Sequence, residues 1–403
     1  MELIDISDFI NKKITFREKS MFQNDVDQNK KNLSKNILNK SVLVIGGAGT
    51  IGSSFIKEIL NFKPSKLVVV DTNENGLTEL TRDLRSSDKQ FIPKVFLTYP
   101  LNFSDRLFKK MFNEMGPFNI VANFAAHKHV RSEKDKFSIE AMIVNNVFNA
   151  KELLDHLVKN KPEHFFCVST DKAANPVNIM GASKKLMEEM ILSYGDKIKI
   201  STARFANVAF SNGSLLAGYI ERFFKKQPLS CPSDVKRFFV SPKESGQICM
   251  LACLLGESKD IFFPKLYQKD LMSFKKITED LFNYMNMDII ECSSEEEAKK
   301  FKIDYSKNLP YPVYFFKSDT SGEKLYEEFY VKDDFLILNK FKSLGIIKNS
   351  SYDSLKKLNK KNKQLIDIFK SKKYNKKNIV SELKKVLSNF NHVETGKSLD
   401  EKM

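Results

Sequence analysis

Asp171 and Lys172 form an adjacent acid–base pair in the stretch VSTDKAANPVNIMGASKKLMEE, residues 168–189. The pair follows an apolar run that is typical of a buried strand, and the loop after a strand end is a common position for catalytic side chains. A carboxylic acid can give a proton to a leaving group and an amine can remove one from carbon, so the pair is suited to general acid–base catalysis. The alternative is a pair of surface charges in an exposed turn.

A phosphate cradle is indicated by Gly46, Gly49 and Gly52, which form the pattern G-x-x-G-x-x-G between an apolar run and an amphipathic helix. Glycine allows the tight turn and the close approach of backbone to a pyrophosphate that such a site requires. Asp71 ends the next apolar run, where its carboxylate would accept from ribose hydroxyls and repel a 2′-phosphate. The pattern predicts NAD and disfavours NADP, whereas the alternative is an ordinary glycine turn near an unrelated acid.

The elements that must position these groups alternate between strands and helices. Short apolar runs predict strands within SVLVIGG (41–47), KLVVVD (66–71), KVFLTY (94–99), NIVANFAA (119–126), HFFCVST (164–170) and IKISTARF (198–205). Helical patterns separate them, notably over residues 137–160 and 180–194. This alternation predicts an α/β fold with a Rossmann-type, doubly wound parallel sheet.

Changes in texture along the chain divide it into four segments. Residues 1–40 predict an N-terminal helical extension, and residues 41–210 predict the NAD-binding domain with the catalytic residues. The strand–helix rhythm loosens in residues 211–345, which predicts a smaller mixed α/β cap that binds the substrate. Residues 346–403 predict a basic, helical, lysine-rich tail.

Positive charge is concentrated in this tail. The formal net charge of the chain is +16, and residues 356–385 contain twelve lysines against only Asp367 and Glu382. Such a block can attract nucleic acid or an anionic membrane surface. Because no aromatic–basic interleaving and no nucleic-acid motif accompanies it, we expect a solvated, partly helical tail and no nucleic-acid partner.

Several classes of protein are disfavoured by the composition. No run of about 18 apolar residues occurs, which argues against a transmembrane segment, and the start MELIDISDFINKK does not resemble a secretory signal. Five cysteines form no CxxC pair, and Cys249 and Cys253 lie in an apolar helical pattern typical of buried small residues rather than metal ligands. We therefore expect a cytoplasmic protein without a metal site.

Five motifs occur in order: GGAGTIG, NFAAHKHV, VSTDKAANPVNIMGASK, RFANV and SGEKLYEE. With them the chain resembles the extended short-chain dehydrogenase/reductases. More narrowly, it resembles the nucleotide-sugar 4,6-dehydratases of bacterial polysaccharide biosynthesis, which act on UDP-N-acetylglucosamine. The resemblance covers about residues 40–345, and the STDKA and SGEKLYEE motifs are the most specific for this branch.

The resemblance implies a reaction in three steps on one bound sugar. A hydride leaves C4 for NAD⁺ and gives a 4-ketone, which acidifies the C5 hydrogen. A base removes that proton while an acid helps the C6 hydroxyl to leave as water, and the hydride then returns to C6. In this scheme Asp171 is the acid and Lys172 is the C5 base, while Lys184 binds the nicotinamide ribose and adds positive potential.

Met180 stands four residues before Lys184, where the standard short-chain dehydrogenase arrangement has a tyrosine that accepts the proton of the oxidised hydroxyl. A thioether has no proton to exchange. Relatives in the resembled branch often carry methionine there too, so Met180 alone does not mark an inactive protein. Our hypothesis is that Asp171 accepts the C4 proton, with the Thr170 hydroxyl bonded to the C4 oxygen, and later donates it to the C6 hydroxyl. Met180 would pack against the substrate.

The resemblance also implies the residues that hold the two ligands. The cofactor residues are Gly46, Gly49, Thr50, Ile51, Gly52, Asp71, Asn102, Phe103, Ala125 and Lys184. Asn102 stands where the family usually has an aspartate near the adenine. The residues expected to face a UDP-linked amino sugar are Lys128, Asn207 and Arg237, and Arg237 suits a diphosphate because of its fixed fork of donors. Asn146 resembles the asparagine that supports the active-site backbone.

Two other functions remain open at this stage. A nucleotide-sugar 4-epimerase would share the fold but needs no acid–base pair for C5 and C6. A catalytically silent NAD-binding protein is supported by the missing tyrosine alone. Whichever of the three functions applies, we expect a homo-oligomer, because members of the resembled family usually assemble through the helices over residues 137–160 and 180–194.

Overall fold

The computed structural model describes residues 5–307, 309–319, 324, 326–348, 353–371, 373–392 and 394. The strands are β1 (Ser41–Ile45), β2 (Lys66–Asp71), β3 (Val95–Pro100), β4 (Ile120–Asn123), β5 (His164–Val168), β6 (Ile200–Ala203), β7 (Asn207–Val208), β8 (Leu229–Pro232), β9 (Lys236–Val240), β10 (Asp260–Pro264), β11 (Leu271–Ser273), β12 (Ile289–Cys292), β13 (Tyr311–Phe316), β14 (Leu336–Ile337) and β15 (Leu344–Lys348). The α-helices are α1 (Ile6–Phe9), α2 (Gln23–Gln28), α3 (Lys30–Ile37), α4 (Thr50–Leu60), α5 (Glu74–Ser86), α6 (Arg106–Met115), α7 (Lys136–Ile143), α8 (Asn149–Lys159), α9 (Ile179–Ser193), α10 (Leu215–Phe224), α11 (Pro242–Leu255), α12 (Phe274–Tyr284), α13 (Glu295–Lys300), α14 (Leu355–Lys370) and α15 (Lys376–Val386).

Nine strands form one large sheet in the order β14-β15-β10-β6-β5-β4-β1-β2-β3. The strands from β3 to β10 in this order run parallel, and β15 and β14 complete the edge in antiparallel pairing. The central residues of the inner strands are buried, as in β2, where Leu67 to Val70 are fully buried, because helices cover the sheet, whereas those of the edge strand β3 are half-buried. The strand order reverses between β1 and β4, so the predicted doubly wound α/β fold is confirmed, and ligand sites are expected at this switch point.

The predicted cap, residues 211–345, contributes to two parts of the molecule. Two small three-stranded sheets, β11-β9-β7 and β12-β13-β8, lie outside the large sheet. Helix α11 instead packs on α4, and β10, β14 and the start of β15, Leu344 and Gly345, belong to the large sheet. The sequence boundaries of the cap therefore do not follow the boundaries of the sheets, because the chain returns to the large sheet twice.

The N-terminal extension is helical, as predicted, and it is tied to the body of the protein. Asp25 in α2 is fully buried and accepts hydrogen bonds from the N–H groups of Lys342 and Ser343, at 2.6 and 2.8 Å. Arg17 binds Glu244 at the start of α11 at 2.8 Å. A cavity of about 520 Å³ lies between this segment and α11, and neither Asp171 nor Lys172 lines it.

The lysine-rich tail forms a helical hairpin of α14 and α15 that is docked on the protein rather than solvated throughout. Its apolar residues join a buried cluster with the faces of α7 and α9. The tail contributes Leu365, Ile379, Leu383, Val386, Leu387 and Phe390 to this cluster. Most of its lysines are exposed on the opposite side. The hairpin covers part of the surface through which we expected a homo-oligomer to assemble.

In the part of the chain that the structure describes, no helix is long and apolar enough to cross a membrane. All five cysteines are free and buried, which agrees with the sequence interpretation of Cys249 and Cys253 as small core residues.

Candidate active site

The glycine turn joins β1 to α4 at the switch point of the large sheet. Gly46 has a φ of +75°, which favours glycine, and a Cβ atom there would lie 2.5 Å from the N atom of Ala125. A Cβ atom at Gly52 would lie 2.3 Å from the carbonyl oxygen of Gly46. Helix α4 begins at Thr50, with Gly49 as its N-cap. This combination of side-chain-free backbone and a helix N-terminus fits the pyrophosphate of a dinucleotide.

Asp71 supports this turn as well as facing it. One carboxylate oxygen accepts from the N–H of Ala48 at 3.0 Å, and the other accepts from the N–H of Asn73 at 2.9 Å. Each oxygen has a second lone pair, so these bonds are compatible with the predicted contact to ribose hydroxyls. The predicted cofactor residues Gly46, Ala125 and Asp71 therefore come together around one turn.

Asn102 and Phe103 lie in the loop after β3, next to the strand that carries Asp71. The Asn102 side chain accepts from the N–H and the hydroxyl of Ser104, both at 3.0 Å, which makes it a local turn residue. Phe103 is 5% exposed and packs in the main core. The predicted adenine contact of these two residues stays a prediction.

The loop at Asn212 links a predicted cofactor residue to a predicted substrate residue. The N–H of Asn212 donates to the Thr50 hydroxyl at 2.9 Å, and its carbonyl oxygen accepts from Lys128 Nζ at 3.0 Å. The structure thus brings Lys128 to the mouth of the glycine turn. Lys128 is an exposed side chain on the loop after β4, where it can exchange this carbonyl for a ligand.

The acid–base pair lies on a short helical turn, Asp171–Ala173, immediately after β5. The Thr170 hydroxyl, the Lys172 N–H and the Lys172 ammonium all donate to Oδ1 of Asp171, at 2.8, 2.8 and 3.2 Å. Asp171 is only 3% exposed. The pair is therefore an internal cluster and not an exposed turn, and its catalytic role stays a prediction.

Glu327 joins this pair from a distant part of the chain. Its Oε1 lies 3.7 Å from Lys172 Nζ, and its Oε2 lies 3.8 Å from Lys324 Nζ. The side chain is buried, and this burial raises the pKa of the Glu327 carboxyl, an effect that Lys172 opposes and Asp171 reinforces. The SGEKLYEE motif, Ser321 to Glu328, is specific for the resembled branch, but the sequence indicates no role for its individual residues, so Glu327 was not among the predicted site residues.

Arg237 and Asn207 lie on neighbouring strands of a small sheet, β9 and β7, close to the same segment. Arg237 is buried and donates to the carbonyl oxygens of Lys236 and Lys324, both at 2.9 Å. Asn207 is paired in register with Phe239 of β9. The structure therefore connects Arg237 to the Lys324–Glu327 segment, while its predicted contact with a diphosphate stays a prediction.

Helix α9 brings Met180 and Lys184 to the end of β5. Lys184 Nζ donates to the carbonyl oxygen of Val168 at 2.9 Å, and its burial lowers the pKa of the ammonium. The Met180 side chain is 3% exposed, and its N–H donates to the buried carboxylate of Glu133 at 2.8 Å. Met180 is thus a packed residue at the helix start, consistent with its predicted non-chemical role.

Asn146 fastens the loop after β4 to α9. Its side chain accepts from the N–H of His127 at 2.8 Å and donates to the carbonyl oxygen of the same residue at 2.9 Å. It also donates to the Ser183 hydroxyl at 3.0 Å. Asn146 lies in a π-helical turn, Val144–Phe148, which changes the direction of the side chain within the long helical segment. Its support of the backbone agrees with the sequence expectation.

Within the described residues, no group of three or more His, Cys, Asp and Glu side chains could hold a metal ion. The arrangement instead offers a phosphate cradle after β1 and an internal acid–base cluster after β5, at the same edge of the sheet and separated by the single strand β4. This combination suits proton transfers on a substrate that is held next to a dinucleotide.

A family model described as polysaccharide biosynthesis protein matches residues 42–349. A Methanocaldococcus jannaschii protein described as an uncharacterized membrane protein is 31% identical over 355 residues, which cover 86% of this chain and 96% of that protein. The capsular polysaccharide biosynthesis protein CapD of Staphylococcus aureus is 27% identical over 306 residues, which cover 75% of this chain and 47% of CapD. The chain thus spans about half the length of CapD.

Two further relatives are named as enzymes. The UDP-N-acetylglucosamine 4,6-dehydratase (inverting) of Campylobacter jejuni is 25% identical over 237 residues, which cover 56% of this chain and 67% of that enzyme. The UDP-glucose 4-epimerase of Rickettsia canadensis is 27% identical over 259 residues, which cover 62% of this chain and 73% of that enzyme.

Among solved structures, Pen from Bacillus thuringiensis has a TM-score of 0.64 at 19% identity. The match covers 79% of this chain and 90% of that chain, and it shows a likeness of fold.

Proposed function

This chain belongs to the polysaccharide biosynthesis protein family, and we propose that it is an NAD-dependent 4,6-dehydratase of UDP-N-acetylglucosamine. The observation that carries this proposal is the buried cluster of Asp171, Lys172 and Glu327. A dehydratase must move protons at C4, C5 and C6 of one sugar, and this cluster provides an amine that lies within 4 Å of each of two carboxyl groups.

The glycine turn would hold the dinucleotide. Gly46 and Gly52 allow the close backbone packing of the turn before α4, at whose N-terminus a pyrophosphate would bind, and Asp71 would accept from the adenosine ribose. Lys184 would bind the nicotinamide ribose from α9, where its ammonium is held at the end of β5. When bound, NAD supplies a hydride acceptor and donor for the sugar.

Asp171 is the proposed acceptor of the C4 hydroxyl proton and the later donor to the C6 hydroxyl. Its Oδ1 is occupied by the Thr170 hydroxyl and two donors of Lys172, so Oδ2 is the oxygen that would exchange the proton. This assignment needs no side-chain proton from Met180. One carboxyl group would serve both steps because it is protonated by the first and deprotonated by the second.

Lys172 is the proposed base for C5, and Glu327 is its proposed proton partner. An amine can remove a proton from carbon only after it has lost its own. Glu327, whose carboxyl pKa is raised by burial, is placed to receive that proton over the 3.7 Å contact with Lys172 Nζ. Lys128, Asn207 and Arg237 would contact the sugar and its diphosphate from the loop after β4 and from the small sheet.

A UDP-sugar 4-epimerase is the competing proposal, since the Rickettsia canadensis relative carries that name. Epimerisation needs the proton acceptor at C4 but no base at C5. The contact of Lys172 with a second buried carboxyl group therefore favours the dehydratase.

Incubation of the purified protein with UDP-N-acetylglucosamine in D₂O, without added cofactor, tests the proposal by mass spectrometry. A dehydratase releases one water and incorporates one solvent deuteron at C5, and turnover without added NAD would mean that the cofactor is retained. An isomeric product of unchanged mass without deuterium would replace this proposal by the epimerase. No turnover, even with NAD and with GDP- or dTDP-linked sugars, would leave the silent binding protein.

A further inference from the structure

The short segment Asn389–His392, which follows helix α15, lies against the loop that carries the catalytic turn onward into α9. Its backbone and side chains form three hydrogen bonds with consecutive parts of this loop. Asn389 donates to the carbonyl oxygen of Ala174 at 3.4 Å, the N–H of Asn391 donates to Pro176 at 3.3 Å, and His392 Nδ1 lies 3.0 Å from the carbonyl oxygen of Val177. Because a carbonyl oxygen only accepts, His392 Nδ1 is the donor.

The segment is anchored by burial. Phe390 and His392 are 3% and 5% exposed, and their rings stack with centroids 5.8 Å apart. Phe390 belongs to the apolar cluster that fixes α14 and α15 on α7 and α9. The segment that contacts the loop is therefore fixed in place by the docked hairpin of α14 and α15.

The opposite side of the same loop is held by the segment that supplies Glu327. Lys324 Nζ donates to the carbonyl oxygen of Asn175 at 2.6 Å, and Asn175 donates to Glu328 at 3.5 Å. The loop that joins Asp171–Ala173 to the N-cap of α9, Asn178, is thus clamped between two distant parts of the chain.

We propose that Asn389–His392 is a positioning element of the active site, which holds the loop after Asp171 and Lys172 so that their side chains stay aligned for proton transfer. This role rests on the proposed function for its effect on turnover, but not for its effect on the loop. The three hydrogen bonds of the segment go to Ala174, Pro176 and Val177 and not to Asp171 or Lys172, so the element acts through the backbone of residues 174–177.

The experiment compares three substitutions in the full-length chain. His392→Ala removes the donor to Val177, His392→Asn keeps a donor near the position of Nδ1, and Asn391→Ala is the matched control because it keeps the main-chain bond to Pro176. Asn389→Ala, which removes the bond to Ala174 from a half-buried position, replaces His392→Ala if that variant does not fold.

Two readouts are measured, hydrogen exchange of the amides of residues 174–181 and steady-state kinetics. We expect His392→Ala to speed this exchange at least fivefold with no change over residues 42–55, and to lower kcat about tenfold at unchanged KM. His392→Asn should recover most of both effects, and Asn391→Ala should match the native protein.

The proposal is overturned if exchange over residues 174–181 is the same in His392→Ala, or in Asn389→Ala where that variant replaces it, as in Asn391→Ala. Unchanged kcat in an active enzyme, despite faster exchange, overturns it as well. If the native protein has no dehydratase activity, the proposed function fails, and the exchange comparison alone decides whether this segment holds the loop.

Discussion

The glycine turn after β1 and the proposed catalytic turn, Asp171–Ala173 after β5, lie at the same edge of one sheet on either side of β4, but they are built in different ways. The glycine turn is assembled from β1, α4 and β2, which are consecutive in the sequence, and Asp71 binds Ala48 within it. The catalytic turn is held by segments far away in the chain, since Glu327 reaches Lys172 and Asn389 reaches Ala174 over a separation of 215 residues. One half of the site is therefore a local motif, and the other depends on the whole tertiary structure.

The largest effect is expected at the centre of the non-local half. Asp171→Asn keeps the shape of the side chain and an oxygen to accept from Thr170 and Lys172, but it cannot exchange a proton. We expect kcat to fall about 1,000-fold, within the range usual for loss of a general acid–base group. The measurement is the rate of keto-sugar formation, with NAD content and circular dichroism as controls. A variant that keeps more than a tenth of kcat would remove Asp171 from the proton transfers.

The local half is tested by a pair of substitutions in the glycine turn. Gly52→Ala places a Cβ 2.3 Å from the backbone oxygen of Gly46, which should lower the free energy of unfolding by about 3 kcal/mol. Gly49→Ala meets its nearest atom at 3.7 Å, so we expect the fold to be retained and only the approach of a pyrophosphate to be hindered.

Urea unfolding and the NAD content of the purified proteins separate these two effects. The expected result is a destabilised Gly52→Ala and a stable Gly49→Ala that has lost NAD. Equal stability of the two variants would mean that the close approach at Gly52 relaxes freely. Full NAD retention by Gly49→Ala would contradict the proposed cradle.

The strength of the non-local contact is tested by Glu327→Gln. Without an acceptor for the Lys172 proton, we expect kcat to fall about tenfold, less than for loss of a group that exchanges a proton with the substrate itself, because Glu327 acts through Lys172. Glu328→Gln is the matched control, because this neighbouring acid is exposed. If both variants turn over at the native rate, Glu327 is a structural residue only.

The same variant has a pH signature in stability. Burial raises the pKa of Glu327 above its ordinary value of 4.5, so the folded state holds this proton more tightly than the unfolded state does. The contribution of this tighter proton binding to the free energy of unfolding is fully present below pH 4.5 and is lost as the pH rises through the pKa of Glu327 in the folded state. Glutamine does not titrate, so the stability of Glu327→Gln relative to the native protein should increase over this pH range. A pH-independent difference in urea unfolding would contradict the raised pKa.

The difference between the two halves also explains what could be predicted from the sequence. The run KLVVVD matches β2, Lys66–Asp71, residue for residue, because an apolar β-branched run between turns is typical of a strand buried on both faces. The glycine spacing predicts its turn for a similar reason, because Gly46, Gly49, Gly52 and Asp71 are close in sequence, although Ala125, which closes on Gly46, comes from the loop after β4.

Residues that act through tertiary contacts could not be found in this way. Nothing in the run DIFFP indicates that β10 joins the large sheet instead of the cap, and nothing beside Glu327 indicates its contact with Lys172. The tail did carry a signal for docking, because Ile379, Leu383 and Val386 recur at helical spacing and form an apolar face. The expectation of a solvated tail was based on the lysines instead.

The smallest effect is expected for Asp71→Asn, which tests whether the local half is as self-contained as its sequence suggests. Asparagine keeps one oxygen, which the bond from Ala48 or Asn73 would occupy, so one hydrogen bond to a ribose hydroxyl is lost. Loss of one hydrogen bond costs about 1 kcal/mol, which corresponds to about a fivefold weaker binding of NAD. Removal of the negative charge should at the same time improve NADP binding, because the 2′-phosphate is no longer repelled. Titration of the apo protein with NAD and with NADP measures the ratio of the two dissociation constants. An unchanged ratio would mean that Asp71 serves the backbone of the turn and does not contact the ribose.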